Sequence, residues 1–323
     1  MTHSNILAVV GCGVSGLASG LRLLEQGFGV TIFARDLPPY TTSNVAGAFW
    51  SPGSLVSSDR VRGWSRASYL AFQQLAENPA SGVSFKTLIE LFDEPVYGLP
   101  KLDLIGELRP VDINRLPAIY RGGYQLTVPV IDTPVYMSFL VRQFQEQGGI
   151  IKEAAITDLS ELTEAYPLVI NCAGVWARQL VPDPLVYPIR GQVIRVRKPA
   201  NLPPEVLHCM AAGEVTYIIP RSGDCLLGGT YEDNNWSLEP DMATAQAILQ
   251  RCAELNPAFH NPDIIEHKVG LRPGRSSVRL ELERLGSGRG LIHNYGHGSI
   301  GHTLSWGCAA EVAKLALEFF AAA

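Results

Sequence analysis

The sequence predicts an α/β protein: a doubly wound, Rossmann-type parallel sheet interleaved with an α+β domain built on an antiparallel sheet. Three observations carry this. Residues 6–36 read as one complete strand–helix–strand unit. Apolar strands of the same kind recur far along the chain, at Leu168 to Asn171 and in GLIHNYG. Between Val186 and Gly229 the chain instead alternates strand segments, YPIRGQVIRVRK, EVTYIIPRSG and CLLGGTYED, in the manner of a twisted antiparallel sheet.

The first unit opens with Ile6 to Val10, an apolar run that suits a strand buried on both faces. Gly11, Gly13 and Gly16 follow at G-x-G-x-x-G spacing, with Val14 and Ser15 between the last two. The first glycine permits the tight turn, the second lets backbone approach a pyrophosphate, and the third lets helix pack on strand. Leu17, Leu21 and Leu24 recur on one helical face, and Gly27 and Gly29 stop that helix before the strand Val30 to Ala34. A glycine triplet alone also serves plain packing. Here it joins a strand to a helix, and Asp36 closes the second strand where a ribose hydroxyl would be bound, so the unit reads as dinucleotide-binding.

The 323 residues suffice for two domains around a shared ligand. With 18% charged residues and a formal net charge of -5, the chain carries no electrostatic footprint for nucleic acid or an anionic membrane. No apolar run approaches the roughly 20 residues that span a bilayer, and MTHSN lacks a basic segment followed by an apolar core. A cytoplasmic protein is expected, and the FFAAA terminus, without a Ser-Lys-Leu address, agrees. Cysteines 12, 172, 209, 225, 252 and 308 lack the paired spacing of a zinc site or redox dithiol. They read as buried thiols, with one disulfide among Cys209, Cys225 and Cys252 left open.

After Asp36, the stretch LPPYTTSNVAGAFWSPGS reads as a functional loop. Thr41, Thr42 and Ser43 group three hydroxyls, and Ala46, Gly47 and Ala48 are small enough for a flat ring to approach; the alternative is an N-cap cluster starting a short helix at Ser43 or Asn44. A helix is expected over 62–78, then mixed short runs over 82–128. Strand, helix and strand follow, with Pro134 near the helix start and Gly148 and Gly149 at its end. Further helices are expected near 241–254 and 304–319, and no repeat or linker appears. The nucleotide domain is therefore expected at 1–50, 135–185 and 265–323, and the substrate domain at 51–134 and 186–264.

Two polar clusters stand out late in the chain. The stretch 272-RPGRSSVR-279 holds three arginines in eight residues, which by itself suits a solvated cationic face. His293, His297 and His302 crowd together, but glycines separate them and no carboxylate or cysteine completes a metal set, so they read as structural. No nucleophile elbow accompanies a Ser-His-Asp or Cys-His arrangement.

Four stretches in order, GCGVSG, TTSNVAGAFW, GLRPGRSSVRLE and HNYGHGSIGHTLSWG, resemble the D-amino-acid oxidase family of flavoproteins. The resemblance runs on through NCAGVWA, RGQ, YIIP and GGTY and so spans most of the chain. It implies FAD, with the adenine end on the Gly11 loop and adenosine contacts at Arg35 and Asp36, where ARD looks like fungal members. It sets Thr41, Thr42, Ser43, Ala46, Gly47 and Ala48 along the flavin, Val175 and Trp176 at a second cofactor turn, and Ile300, Gly301, His302 and Thr303 at the pyrimidine end. Donors there would stabilise charge on the reduced ring. It further implies that Arg279 clamps a substrate carboxylate, a task that suits a planar guanidinium fork. Arg272 and Arg275 are left to nearby structure or the cofactor. Tyr217 would donate its hydroxyl to the same carboxylate, against the plain alternative of an inward-packed strand tyrosine. Tyr231 falls at the active-site mouth, and Ser299 stands where the family has a glycine whose carbonyl meets the substrate ammonium.

The expected activity is oxidative deamination of a neutral D-amino acid with dioxygen, by a monomer or homodimer. A glycine or sarcosine oxidase, a D-aspartate oxidase, an NADP-dependent reductase using Arg35, and a non-catalytic flavin-binding protein are the alternatives. Related D-aspartate oxidases carry an arginine after GGT where this chain has Tyr231, so acidic substrates should be poor unless another arginine, with Arg221 the candidate, supplies the charge.

Overall fold

Strand Ile6–Val10 runs parallel between Gly29–Ala34 and Leu168–Asn171, and its residues from Leu7 to Val10 are buried whichever face they take. That is why its sequence is continuously apolar rather than alternating. The full sheet has the order Arg279–Leu285, Arg289–Tyr295, Leu168–Asn171, Ile6–Val10, Gly29–Ala34, Ile150–Glu153, parallel except at the Arg279–Leu285 edge. The computed structural model describes residues 6–51, 53, 54, 57–96, 108–112, 114 and 116–322. The MTHSN pentapeptide, the final alanine and residues 97–107 of the mixed 82–128 stretch lie outside the described residues.

A second sheet of ten strands runs from Glu232–Asp233 through Tyr187–Val196, Cys225–Gly228, Glu214–Pro220, Val206–Ala211, Val83–Phe92 and Gly122–Ile131 to Ala48–Phe49. The sheet is mixed rather than purely antiparallel. Val206–Ala211 runs parallel to Val83–Phe92 because the chain passes through the first sheet between them. Strand Ile264–Gly274 also departs from expectation: it is hydrogen-bonded along Tyr187–Val196 in the second sheet, although the boundary at 265 had set it with the first. The chain therefore crosses from one sheet to the other between Gly274 and Arg279. One face of the second sheet is closed by helix Met242–Leu255, whose Ala245, Ile248 and Cys252 pack on Ile194, Ile218 and Leu227. The other faces the first sheet.

Helices fill the space behind the parallel strands. Val14–Glu25 lays Leu17, Leu21 and Leu24 into the main core, and the absence of a side chain at Gly20 lets the Phe144 ring of helix Thr133–Glu146 close on it. Helix Asp59–Ala76 starts at Ser58, whose hydroxyl accepts from the Val61 amide, three residues before the expected start. Trp50 is wholly buried and its indole N–H donates to the Ser65 carbonyl at 3.0 Å, so its burial leaves no polar atom unmet.

The longest helix, Gly301–Ala321, is pinned from both sides. Its Gly307 amide donates to the Ser68 hydroxyl at 2.9 Å, and a Cβ at Gly307 would overlap the backbone of Trp64. At its N-terminus His302 Nε2 donates to the Ser43 carbonyl at 3.1 Å, and Thr303 Oγ1 accepts from the Ser51 amide at 3.1 Å. Burial pushes His302 down from 6.5 to about 4 against that bond, and burial alone does the same to His297.

Two outcomes follow from this packing. Gly307→Ala gains helix propensity but forces two helices apart, so it should lower stability by about 1–3 kcal/mol, read as a lower thermal midpoint. The histidines have folded values near 4 against 6.5 when free, so the unfolded chain takes up protons first as pH falls. Stability should be full above about pH 6.5 and drain away toward pH 4; His302→Asn, which keeps a donor without titrating, should flatten the slope of midpoint against pH.

Candidate active site

A cavity of about 340 Å³ opens where the parallel strands end and the second sheet begins. Its floor is the Gly11 turn. A Cβ on Gly11 would overlap the Cys172 carbonyl and one on Gly16 the Gly11 carbonyl, so both positions exclude any side chain. Gly11 also has a φ of +106, a left-handed value that glycine alone adopts freely. This close approach aims the start of helix Val14–Glu25 into the cavity, with Gly13, Val14 and Ser15 on its wall, while Gly16 stays beneath as packing. The Ser43 hydroxyl accepts from the Val14 amide at 2.9 Å; the other amides of the first turn and the positive dipole end are available to a diphosphate.

Arg35 and Asp36 both border the cavity and are paired at 2.6 Å, and the Arg35 guanidinium lies 4.5 Å from the centre of the Trp176 ring. Val175 and Trp176 form the opposite wall. Thr41, Thr42, Ser43 and Ala46 line the cavity as well, and both readings of that stretch hold: it forms the short helix Thr42–Val45 with Thr41 at the N-cap, and the same residues face the ligand space. Gly47 and Ala48 lie beyond it. Gly47 fits against the rings and methyls of Tyr217 and Ile219, and Ala48 is buried opposite Ile131.

At the far end Ser299, Gly301 and His302 reach the cavity, whereas Ile300 packs toward the cluster around Trp64 and Thr303 is bound to Ser51. Three buried atoms on cavity-lining residues have no partner among the described residues: Asn294 Oδ1, His297 Nε2 and His302 Nδ1. Unmet buried polar atoms of this kind call for a polar ligand or water. With the side-chain-free turn, they make the cavity fit FAD: a diphosphate at the Gly11 turn and polar groups at the Ser299–His302 end. Among the described residues, no cluster of three or more His, Cys, Asp or Glu could hold a metal, and all six cysteines are free. The disulfide left open among Cys209, Cys225 and Cys252 is thus absent; burial pushes the first two up to about 12.

The carboxylate clamp requires a correction. Arg279 does not border the cavity: its Nε donates to Glu281 and its Nη1 to the Tyr295 hydroxyl, both at 2.7 Å, on the edge strand of the first sheet. Of the three arginines in 272–279, Arg272 is the one that borders the cavity. Its guanidinium lies across Gly191, where any Cβ would overlap it, with Nη1 donating to the Thr230 carbonyl at 3.1 Å and the Tyr231 ring 5.3 Å away. The Tyr217 phenol is beside it: burial raises the phenol's pKa, and the Arg272 charge pulls it back. Arg275 instead joins Asp183 at 3.0 Å. Strand alternation was the available signal, since Arg279 shares a side of RLELERL with Glu281 and Glu283, the pattern of a solvated edge. Arg221, the alternative cation, is buried and held by both oxygens of Asp224, at 2.6 and 2.8 Å.

Sequence reading gave no role here to Gly191, Asn294 or the Ala154–Thr157 wall and read His297 as structural. Gly191 lies in RGQ, and Asn294 and His297 in HNYGHGSIGHTLSWG, but these patterns do not say which side chains meet: Asn294, His297 and Ala154–Thr157 line the cavity, and Gly191 lies under the Arg272 guanidinium.

Comparison with known proteins gives the family and the fold. The family model described as FAD dependent oxidoreductase matches residues 7–315. The chain is 46% identical to a D-amino-acid oxidase of Rubrobacter xylanophilus, over 95% of this chain and 94% of that one. It is 39% identical to a D-amino-acid oxidase of Streptomyces coelicolor, over 96% of each, and 34% identical to human D-aspartate oxidase, over 97% of this chain and 94% of that one. In fold it matches glycine oxidase from Geobacillus kaustophilus with a TM-score of 0.80 at 22% identity, over 98% of this chain and 95% of the other. On the matched length, the relatives and the side-chain-free turn at the head of the cavity, this chain belongs to the FAD-dependent oxidoreductase family that includes the D-amino-acid oxidases.

Proposed function

We propose that the protein oxidises neutral D-amino acids to 2-oxo acids, with dioxygen and water consumed and ammonia and hydrogen peroxide released. The observation that carries this is Arg272, a cation resting on Gly191 beside the Tyr217 phenol at the edge of the cofactor cavity. A planar fork beside a hydroxyl donor suits a carboxylate, fixing its orientation as well as its charge. FAD, when bound, supplies the hydride acceptor and returns the electrons to dioxygen. The residues of the chain orient the reactant: Arg272 and Tyr217 hold the carboxylate, and the Ser299 carbonyl accepts a hydrogen bond from the amine. Buried and neutral, His297 and His302 offer no proton donor near pH 7. A neutral amine needs no protein base, so alignment supplies much of the catalysis. Gly301 and His302, in the first turn of their helix, present amides and a positive dipole end to charge gathering at that end of the cavity.

The charge of the substrate side chain follows from what surrounds the clamp. Tyr231 offers a ring and a hydroxyl, and Arg221 is committed to Asp224, so a second carboxylate would enter without a cation. The two sheets are read as a cofactor lobe and a substrate lobe, and a cytoplasmic enzyme, single or homodimeric, acting on free D-amino acid completes the proposal.

Arg272→Ala should raise KM for D-alanine by about a hundredfold or more with FAD retained, as expected when a buried charge loses its partner. Arg279→Ala should leave KM within about twofold and act on stability instead. The reverse pattern would return the clamp to Arg279. Peroxide assays on D-alanine, D-valine, D-phenylalanine and D-aspartate at one pH should rank D-aspartate last in kcat/KM; D-aspartate in first place would make this a D-aspartate oxidase.

A further inference from the structure

Tyr217 belongs to a row of side chains that crosses the second sheet. Strand register sets Tyr217 opposite His208, His208 opposite Glu90, and Glu90 opposite Tyr124. Residues directly opposite one another project from the same face, so all four share the face turned away from helix Met242–Leu255. The Tyr217 ring leans over Gly228 and Gly229, away from His208. Gly47 and Phe49, two residues apart on the adjoining segment, lie over Tyr217 and His208 respectively, with the Phe49 and His208 rings 5.3 Å apart. A carboxylate held between Arg272 and the Tyr217 phenol lies over Gly228 and Gly229, so a substrate side chain must run back across the Tyr217 strand to meet His208, and only a long one spans that distance.

The polar groups on this row are coupled. His208 Nδ1 lies 3.0 Å from Glu90 Oε1, and the Tyr124 hydroxyl donates to Glu90 Oε2. Glu90 is 7% exposed, and among the described residues no arginine or lysine forms an ion pair with it. Set against that carboxylate, Nδ1 carries the ring proton and Nε2 is left as an acceptor. His208 keeps 21% of its side chain exposed.

Resting on the D-amino-acid reading above, we propose that Glu90, acting through His208, sets the charge preference of the substrate side chain: the far end of the subsite accepts hydrogen bonds and carries negative charge, favouring side chains that end in a donor or cation over those that end in a carboxylate. Glu90 and Tyr124 are positioning residues, and His208 is the group that meets the substrate. The preference is independent of Arg272, which handles the carboxylate common to every amino acid.

The test compares D-lysine, D-norleucine and D-glutamate, similar in length and different in charge, on the FAD-loaded enzyme. The wild-type kcat/KM for D-lysine should exceed that for D-glutamate by about tenfold or more. Glu90→Gln should bring that ratio toward unity through KM, with D-norleucine unchanged within about twofold. Tyr124→Phe, which removes one hydrogen bond to Glu90 but keeps the charge, should shift the ratio by less than Glu90→Gln does; an equal or larger shift would assign the effect to packing. A wild type that prefers D-glutamate, a ratio untouched by Glu90→Gln, or a parallel fall in kcat for all three substrates would overturn the proposal. If the FAD-loaded wild type oxidises none of the D-amino acids, D-norleucine and D-alanine included, the D-amino-acid reading itself falls and takes this preference with it.

Discussion

The close approach of Gly16 to the Gly11 carbonyl and of Gly11 to Cys172, which leaves no room for a Cβ at either glycine, is the constraint from which the site descends. It presses helix Val14–Glu25 onto the centre of the parallel sheet and leaves no choice about where that helix begins. At that helix start free amides, a positive dipole end and a side-chain-free surface coincide. The Ser43 hydroxyl on the Val14 amide and the His302 imidazole on the Ser43 carbonyl extend the same junction, tying the first and last helices of the chain through one short segment. Cofactor space and fold are thus one arrangement, and the buried neutral histidines there depend on the helix packing that excludes water from them.

Charge is distributed around this junction with a division of labour. Arg275, Arg279, Asp183 and Glu281 neutralise one another at the edge of the first sheet, and Arg221 and Asp224 do so inside the second. Arg272 differs from them in having a backbone carbonyl and an aromatic face for company, so among the described residues no carboxylate cancels its charge. Partial desolvation without a counter-ion suits a cation to an anionic ligand.

Local patterns were legible in the sequence wherever local physics decides. The strand Leu168–Asn171, the helix after Asp241 and the Gly11 turn each follow from runs, caps and glycine spacing within a few residues. What required the structure was the relation between distant strands. Arg272 and Arg279 are seven residues apart and chemically identical, yet the chain changes sheets between them, so one faces the cavity and the other solvent-side carboxylates. Gly191 has no motif around it that names its partner, and its purpose is visible only under the Arg272 guanidinium. The row from Tyr217 to Tyr124 draws on four strands whose register no linear pattern states.

The most direct measurement of the central claim is anaerobic single-turnover reduction of the bound flavin. The account predicts that D-alanine bleaches the visible flavin absorbance while L-alanine leaves it intact, with a rate that saturates in D-alanine for the wild-type protein and fails to saturate once Arg272 is removed. Bleaching by L-alanine alone, or an unchanged spectrum with every D-amino acid, would contradict it.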